Sequence, residues 1–192
     1  MQDIILALDL SIVSTGYAFM KYDSEVICTG TICPEKYKNH SKDKYPVSTL
    51  KNIVSDVLQI SEIVREYSEE YNITDIIIEE INASAGGTKT IKALSWIQGF
   101  LLEELDPSKF NFEFITCSTW RSALGLRYSA SDKEHNKPLK KRHKDRITFK
   151  HLAINKVNKI YGTDFKLEDN DITDSICIGL AHLKINKGLQ IK

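Results

Sequence analysis

The chain has 192 residues, of which 42% are apolar and 27% charged, and its 26 basic and 26 acidic side chains cancel. That length suits one domain with a substantial core, and that composition is globular rather than disordered. No apolar run approaches the roughly 20 residues a membrane-crossing helix needs, and a balanced charge announces no polyanionic partner in bulk.

The opening MQDIILALDL has no basic leader region and no small-residue cleavage site, so it reads as a first strand over 3–9 ending in Asp9, not as a signal peptide. Residues 15–22 and 25–33 are rich in β-branched and aromatic types, with Asp23-Ser24 as a turn between them, and predict an antiparallel meander with the first strand. The polar stretch 34–46, with Pro34 and Pro46 at its ends, predicts a loop. Val47, Leu50, Val54, Val57 and Val64 keep a helical period and predict a helix over 47–70. Thr74–Ile78 is an apolar run ending in Glu79 and Glu80. Coming after a helix, it predicts a parallel strand covered on both faces. The small-residue segment 83–87 is a loop, 88–105 a second helix stopped by Pro107, and the alternating 111–117 a fifth strand. Ser118 and Thr119 suit the cap of a short helix through Leu124. Residues 125–146 are polar and basic and predict a mobile loop, followed by helices over 147–161 and 170–185. The order β-β-β-α-β-α-β-α-α implies a single α/β domain over 1–192 with a mixed, five-stranded sheet whose first three strands are antiparallel. Cys28, Cys33, Cys117 and Cys177 lack metal-type spacing, so free thiols in a reducing, cytoplasmic setting are expected.

The chemistry-bearing residues are acids at element ends. Asp9 and Glu79 each close a hydrocarbon strand, where a carboxylate is rarely left without a partner because desolvating a charge is costly. If the two strands are parallel neighbours, both acids emerge at the carboxyl edge of the sheet, where open α/β sheets place their sites. Asp171 and Asp174 are spaced i, i+3 at a helix start and share one face. Acids in a first helical turn also serve as caps and dipole partners, and Asp169 competes for such a role. Asp9, for its part, suits a turn toward Ser11 and Ser14. Four acids converging on a point would repel one another, and hard divalent cations relieve that repulsion.

The segments Ile5–Ser11 with Ser14–Ala18, Ile76–Glu80, and Asp171-Ile-Thr-Asp174 through His182 resemble, in order and from end to end, RuvC-type Holliday junction resolvases, particularly phage-borne ones. The resemblance implies a ribonuclease-H-like fold and a homodimer that cuts branched DNA. It makes Asp9, Glu79, Asp171 and Asp174 the catalytic, metal-binding acids. The cofactor implied is Mg2+, with Mn2+ as substitute, as two ions per site that activate water and stabilise the leaving oxygen. Strand alternation admits only one of Glu79 and Glu80 to such a site. Glu79 is the choice, with Glu80 pointing away or paired. The stretch from Trp120 to Arg146 is longer and more basic than in the bacterial cellular enzymes.

Residues expected to hold DNA are Ser11, Ser14 and Thr15 after the first strand, Lys89 at the second helix, and Lys140, Lys141, Arg142, Lys144 and Arg146 in the basic segment. For each an ordinary reading stands beside it: turn chemistry for the hydroxyls, a flexible connector for 83–89, a solvated loop for the lysines. Trp120 and Tyr128 suit either base stacking or the core, and His182 reads as a packing residue. Trp96, Ile97 and Phe100 are candidates for a dimer surface. Rival functions are a nuclease on RNA–DNA hybrids or flaps, a non-catalytic junction-binding protein, and a sugar-kinase-like ATPase. The last is disfavoured by the short chain and the lack of a second phosphate-binding glycine loop.

Overall fold

A computed structural model describes residues 1–33, 44–81, 87–141 and 143–190. The loop over 34–46 and the small-residue loop 83–87 fall largely outside the described residues, as does Arg142. Three strands lead, β1 (Gln2–Asp9), β2 (Thr15–Lys21) and β3 (Val26–Ile32), followed by helix α1 (Val47–Ser68). Then come β4 (Tyr71–Glu79), α2 (Thr88–Leu105) and β5 (Asn111–Ile115), and the helices α3 (Cys117–Ala123), α4 (Ala130–Asn136), α5 (Phe149–Tyr161) and α6 (Asn170–Asn186). The sheet order is β3-β2-β1-β4-β5. β1 pairs antiparallel with β2, and β2 with β3, while β1–β4 and β4–β5 are parallel. The predicted mixed sheet is therefore present, with its antiparallel meander at one edge.

Two cores flank the sheet because strand side chains alternate faces. Ile4, Leu6, Leu8, Ile76 and Ile78 pack with Ile53, Val57 and Ile60 of α1 and Ile97 and Leu101 of α2. Ile5, Ala7 and Ile77 face the other way, against Trp120 of α3, Val157 of α5 and the apolar face of α6. Ile97 is thus spent on the core and cannot serve a dimer surface, whereas Phe100 remains 40% exposed.

α6 is the most deeply buried helix, and it rests directly on the sheet. A Cβ on Gly179 would sit 2.5 Å from Met20 Sδ and 3.3 Å from Ala7 Cβ. At its start, a Cβ on Gly16 would sit 1.9 Å from the Asp171 carbonyl oxygen.

The segment 125–146 corrects the sequence expectation of a mobile loop. Ser129 and Asp132 form a reciprocal capping box that starts α4. Asn136 then clamps the far end, its Nδ2 donating to Ile147 O at 2.8 Å and its Oδ1 accepting from Ile147 N at 2.9 Å. The signal was present as a serine followed three residues later by an acid, but the lysines around it read more loudly.

Midway along β4, buried Asp75 accepts from the Tyr22 hydroxyl, from Thr74 Oγ1 at 3.1 Å and from Asn111 Nδ2 at 2.6 Å. Lys187 Nζ stands 4.0 Å away. These donors hold the Asp75 carboxyl below its ordinary range despite its burial. Asp75→Ala removes the acceptor shared by Tyr22, Thr74 and Asn111, so it is expected to lower stability by about 3 kcal/mol. A urea midpoint unchanged from wild type would show that the network contributes nothing.

Candidate active site

The register explains why four acids meet. Asp9 follows Ile5 and Ala7 in alternation, and Glu79 follows Ile77, so both carboxylates fall on the sheet face covered by α6. Asp9 pairs with Gly16, and Gly16 is the residue on which the Asp171 backbone rests. One turn on, Asp174 is 7% exposed, and its Oδ1 has no hydrogen-bond partner.

The electrostatics record the convergence. Burial pushes the Asp9 carboxyl well above its ordinary range, and Asp174, Glu79 and Asp171 push it further. Asp174 is raised to about 7, first by burial, with Glu79 and Asp171 adding. Glu79 is raised by burial, against the pull of three neighbours: Trp120, Arg121 and the Cys117 thiol. Glu80 lies one residue beyond β4 and is exposed, and it is Glu79, not Glu80, that raises the proton affinity of Asp9 and Asp174. Asp169 is likewise engaged elsewhere, its Oδ2 accepting from Lys166 N at 2.8 Å.

Three residues that sequence reasoning missed complete the site. Trp120 is fully buried, and its Nε1 donates to Glu79 Oε2 at 2.8 Å, so this core aromatic fixes a functional carboxylate. Arg121 lies 4.9 Å from the Trp120 ring and 4.7 Å from the Phe149 ring, and it opposes the raised proton affinity of Asp174 and Glu79. Lys150, held by the Asn170 side chain, does the same for Asp9 and Asp174. A lone arginine or lysine on a short helix carries no spacing signal. Only the tertiary contact brings it to the acids.

The residues expected to hold DNA divide. Thr15 is completely buried, and its hydroxyl donates to Ser11 O at 3.1 Å while accepting from Ser11 N at 3.2 Å. Ser11 Oγ accepts from Val13 N at 3.2 Å, so both hydroxyls close the β1–β2 turn, and Ser14 is part of the same turn. Arg146 is committed to structure, its Nη1 donating to Asn136 O at 2.9 Å and Leu139 O at 3.1 Å. Lys140, Lys141 and Lys144 are exposed, and Lys89 lies over the Tyr45 ring at 5.1 Å. Tyr128 packs on Phe149 at 4.7 Å. His182 pairs through Nδ1 with Glu113 Oε2 at 3.0 Å, at the opposite end of α6 from the acids. The four cysteines are free thiols.

The donor chemistry fits a hard divalent cation: four carboxylates coupled through space, and one buried oxygen without a partner. As the side chains stand, among the described residues no three His, Cys, Asp or Glu are drawn together into a metal shell.

The raised carboxyls make stability pH-dependent. Asp56, fully buried on α1 without a hydrogen-bond partner, is also raised to about 7 by burial. An acid whose folded-state pKa is raised leaves the native state with more bound protons than the unfolded chain between the two values. Stability therefore falls as pH rises from about 4 to about 7, by about 1.4 kcal/mol per pH unit for each such group. Urea midpoints in EDTA should be lower at pH 8 than at pH 5, and a midpoint that rises across this window would contradict these assignments.

No family model matches the chain, and no curated protein matches it by sequence. Solved structures do. Thermus thermophilus RuvC in complex with a Holliday junction substrate superposes with a TM-score of 0.62 at 11% identity, over 97% of each chain. A second Thermus thermophilus RuvC structure gives 0.62 at 10% identity, over 96% of each. The yeast mitochondrial Holliday junction resolvase Ydc2 gives 0.51 at 13% identity, over 94% of this chain and 77% of that one. The likeness shows the fold: a five-stranded mixed sheet flanked by helices, of the ribonuclease-H-like type found in these resolvases.

Proposed function

We propose that the chain is a metal-dependent endonuclease of the RuvC type, related to its phage-borne branch, that cuts four-way or otherwise branched DNA. The observation that carries the proposal is the meeting of Asp9, Glu79, Asp171 and Asp174 at the carboxyl edge of the sheet, where the last three raise the proton affinity of Asp9. The end-to-end likeness to a resolvase solved with its junction supports the substrate. Among the described residues no helix is long and apolar enough to cross a membrane. The proposal places the chain in the cytoplasm, where its DNA would be.

The four acids would hold Mg2+ or Mn2+, as a pair of ions. The ions supply Lewis-acid activation of water and stabilise the departing oxygen of a phosphodiester. The protein's own groups do the rest. Trp120 holds Glu79 in one orientation, while Arg121 offsets part of the raised proton affinity of Asp174 and Glu79, and Lys150 part of that of Asp9 and Asp174. The two cations also place positive charge where a phosphate must approach. Lys140, Lys141 and Lys144 stand exposed to contact the DNA backbone, and each phosphate they neutralise steepens the salt dependence of binding. A homodimer, placing two such sites on one junction, would give paired nicks.

Competition between a four-way junction and an RNA–DNA hybrid of equal length tests the substrate. Preferential cutting of the junction is expected. Preferential cutting of the hybrid would assign the chain to the ribonuclease H reading instead. Calorimetry with Mg2+ tests the other rival, since a non-catalytic binder whose acids serve only as caps would show no divalent-ion uptake.

A further inference from the structure

Beside the acids lies a cavity of about 540 Å3, walled by Glu80, Ser118, Arg121, Ser122, Arg127 and Phe149 among others. It shares Cys117 and Arg121 with the acid cluster, so whatever occupies it is adjacent to whatever binds the acids. Its size lies within the roughly 300–1,000 Å3 of small-molecule pockets. Its lining carries both signs of charge. Arg121 and Arg127 belong to α3 and its exit, whereas Glu80 directly follows β4, and among the described residues neither guanidinium forms an ion pair with the Glu80 carboxylate. Arg121 is held between the Trp120 and Phe149 rings, and its Nε is buried without a partner. Glu80 and Arg127 are both exposed. Ser118 and Ser122 add hydroxyls to the lining, and Leu126 and Phe149 supply apolar wall.

We infer that this cavity takes one unpaired nucleotide next to the phosphate held at the acids, with its phosphate toward the arginines and its base edge toward Glu80. A nucleotide offers a partner for each charge in the lining: an anion for the arginines and, on cytosine, adenine or guanine, an exocyclic amino donor for Glu80. A carboxylate accepts from such an amino group, whereas thymine places carbonyl oxygens where the amino groups stand and offers only a ring N3–H flanked by two oxygens that repel a carboxylate. Enzymes that act beside an unpaired base commonly read the edge released by unstacking it. Glu80 is then a specificity residue, and the Glu79-Glu80 pair divides its labour: Glu79 faces the chemistry and Glu80 the neighbouring base. The inference rests on the junction-nuclease reading.

Junctions that differ only in the nucleotide flanking the cut phosphate test it. The wild-type protein should cut those bearing an amino-carrying base about tenfold or more faster, in kcat/KM, than those bearing thymine. Glu80→Ala should collapse that ratio toward one. Uniform rates in the wild type, or an unchanged ratio in Glu80→Ala, would overturn the inference while leaving the nuclease reading intact. A second readout does not use cleavage: 2-aminopurine at the flanking position should brighten when Asp174→Asn binds the junction, and less so when Arg127→Ala is added. No brightening on a junction that is bound sinks the nucleotide pocket alone. No junction binding at all sinks both readings.

Discussion

Asp174→Asn should abolish junction cleavage in Mg2+ and at the same time make the protein more stable at pH 8. The two effects have one cause. Asp174 is 7% exposed, its Oδ1 has no hydrogen-bond partner, and its carboxyl is raised to about 7. An ionised group in that position is costly to the fold unless something positive sits against it. The amide keeps the shape and removes the charge. Loss of a cation ligand forfeits several kcal/mol of transition-state stabilisation, so the rate should fall by about 1,000-fold or more. A proton affinity raised this far is worth about 4 kcal/mol at pH 8 and nothing below pH 4, and the amide's own desolvation takes back part of it. A melting temperature higher by about 4 °C or more in EDTA at pH 8, shrinking as the pH is lowered to 5, is the expected signature. Junction affinity should change little, because the exposed lysines supply it. A variant that cuts at the normal rate removes Asp174 from the site. A variant that loses activity but melts lower at pH 8 shows that the carboxylate is instead compensated within the fold.

How far the sequence discloses this site depends on the kind of signal each residue carries. Asp9 and Glu79 are legible because period-two alternation propagates through a strand. Once Ile5, Ala7 and Ile77 are assigned to one face, the face of the acids follows, and Glu80 is excluded by the same count. Asp171 and Asp174 are legible because i, i+3 spacing needs no tertiary information, although only the sheet shows that their face points at Asp9. The hydroxyls after β1 are ambiguous in sequence, since a turn and a phosphate cradle use the same residue types. Burial of Thr15 and its two hydrogen bonds to Ser11 assign them to the turn. Arg146 carried the same ambiguity, and carbonyl acceptors from α4 and its exit claim it. Lys150, Arg121 and the indole of Trp120 were beyond reach. Each acts across a contact between elements far apart in the chain, and nothing in its local pattern differs from an ordinary surface cation or core aromatic.

Gly16→Ala should cost about 100-fold in cleavage while leaving a folded protein, and the reason lies in backbone, not side chains. The added Cβ would stand 1.9 Å from the Asp171 carbonyl oxygen and 2.4 Å from its carbonyl carbon. Neither atom can rotate away. Either β2 or the first turn of α6 must shift, and Asp9 pairs with Gly16 while Asp171 and Asp174 sit on that turn. The clash therefore separates the two halves of the acid cluster by the amount needed to relieve it. Overpacking of this kind costs about 1–3 kcal/mol in stability, whereas a displacement of about 1 Å at a reacting centre costs about 100-fold in rate. Activity should thus fall much further than stability. Gly30→Ala is the control on the neighbouring strand: its Cβ would meet the outer end of the Tyr17 ring, with the hydroxyl 2.6 Å and Cζ 2.8 Å away, part of a partly exposed side chain that can swing aside, unlike backbone. It should fold and cut nearly as well as wild type. If Gly16→Ala cuts as fast as Gly30→Ala, the acids do not depend on the seating of α6 against β2, and the geometric basis of the cluster fails.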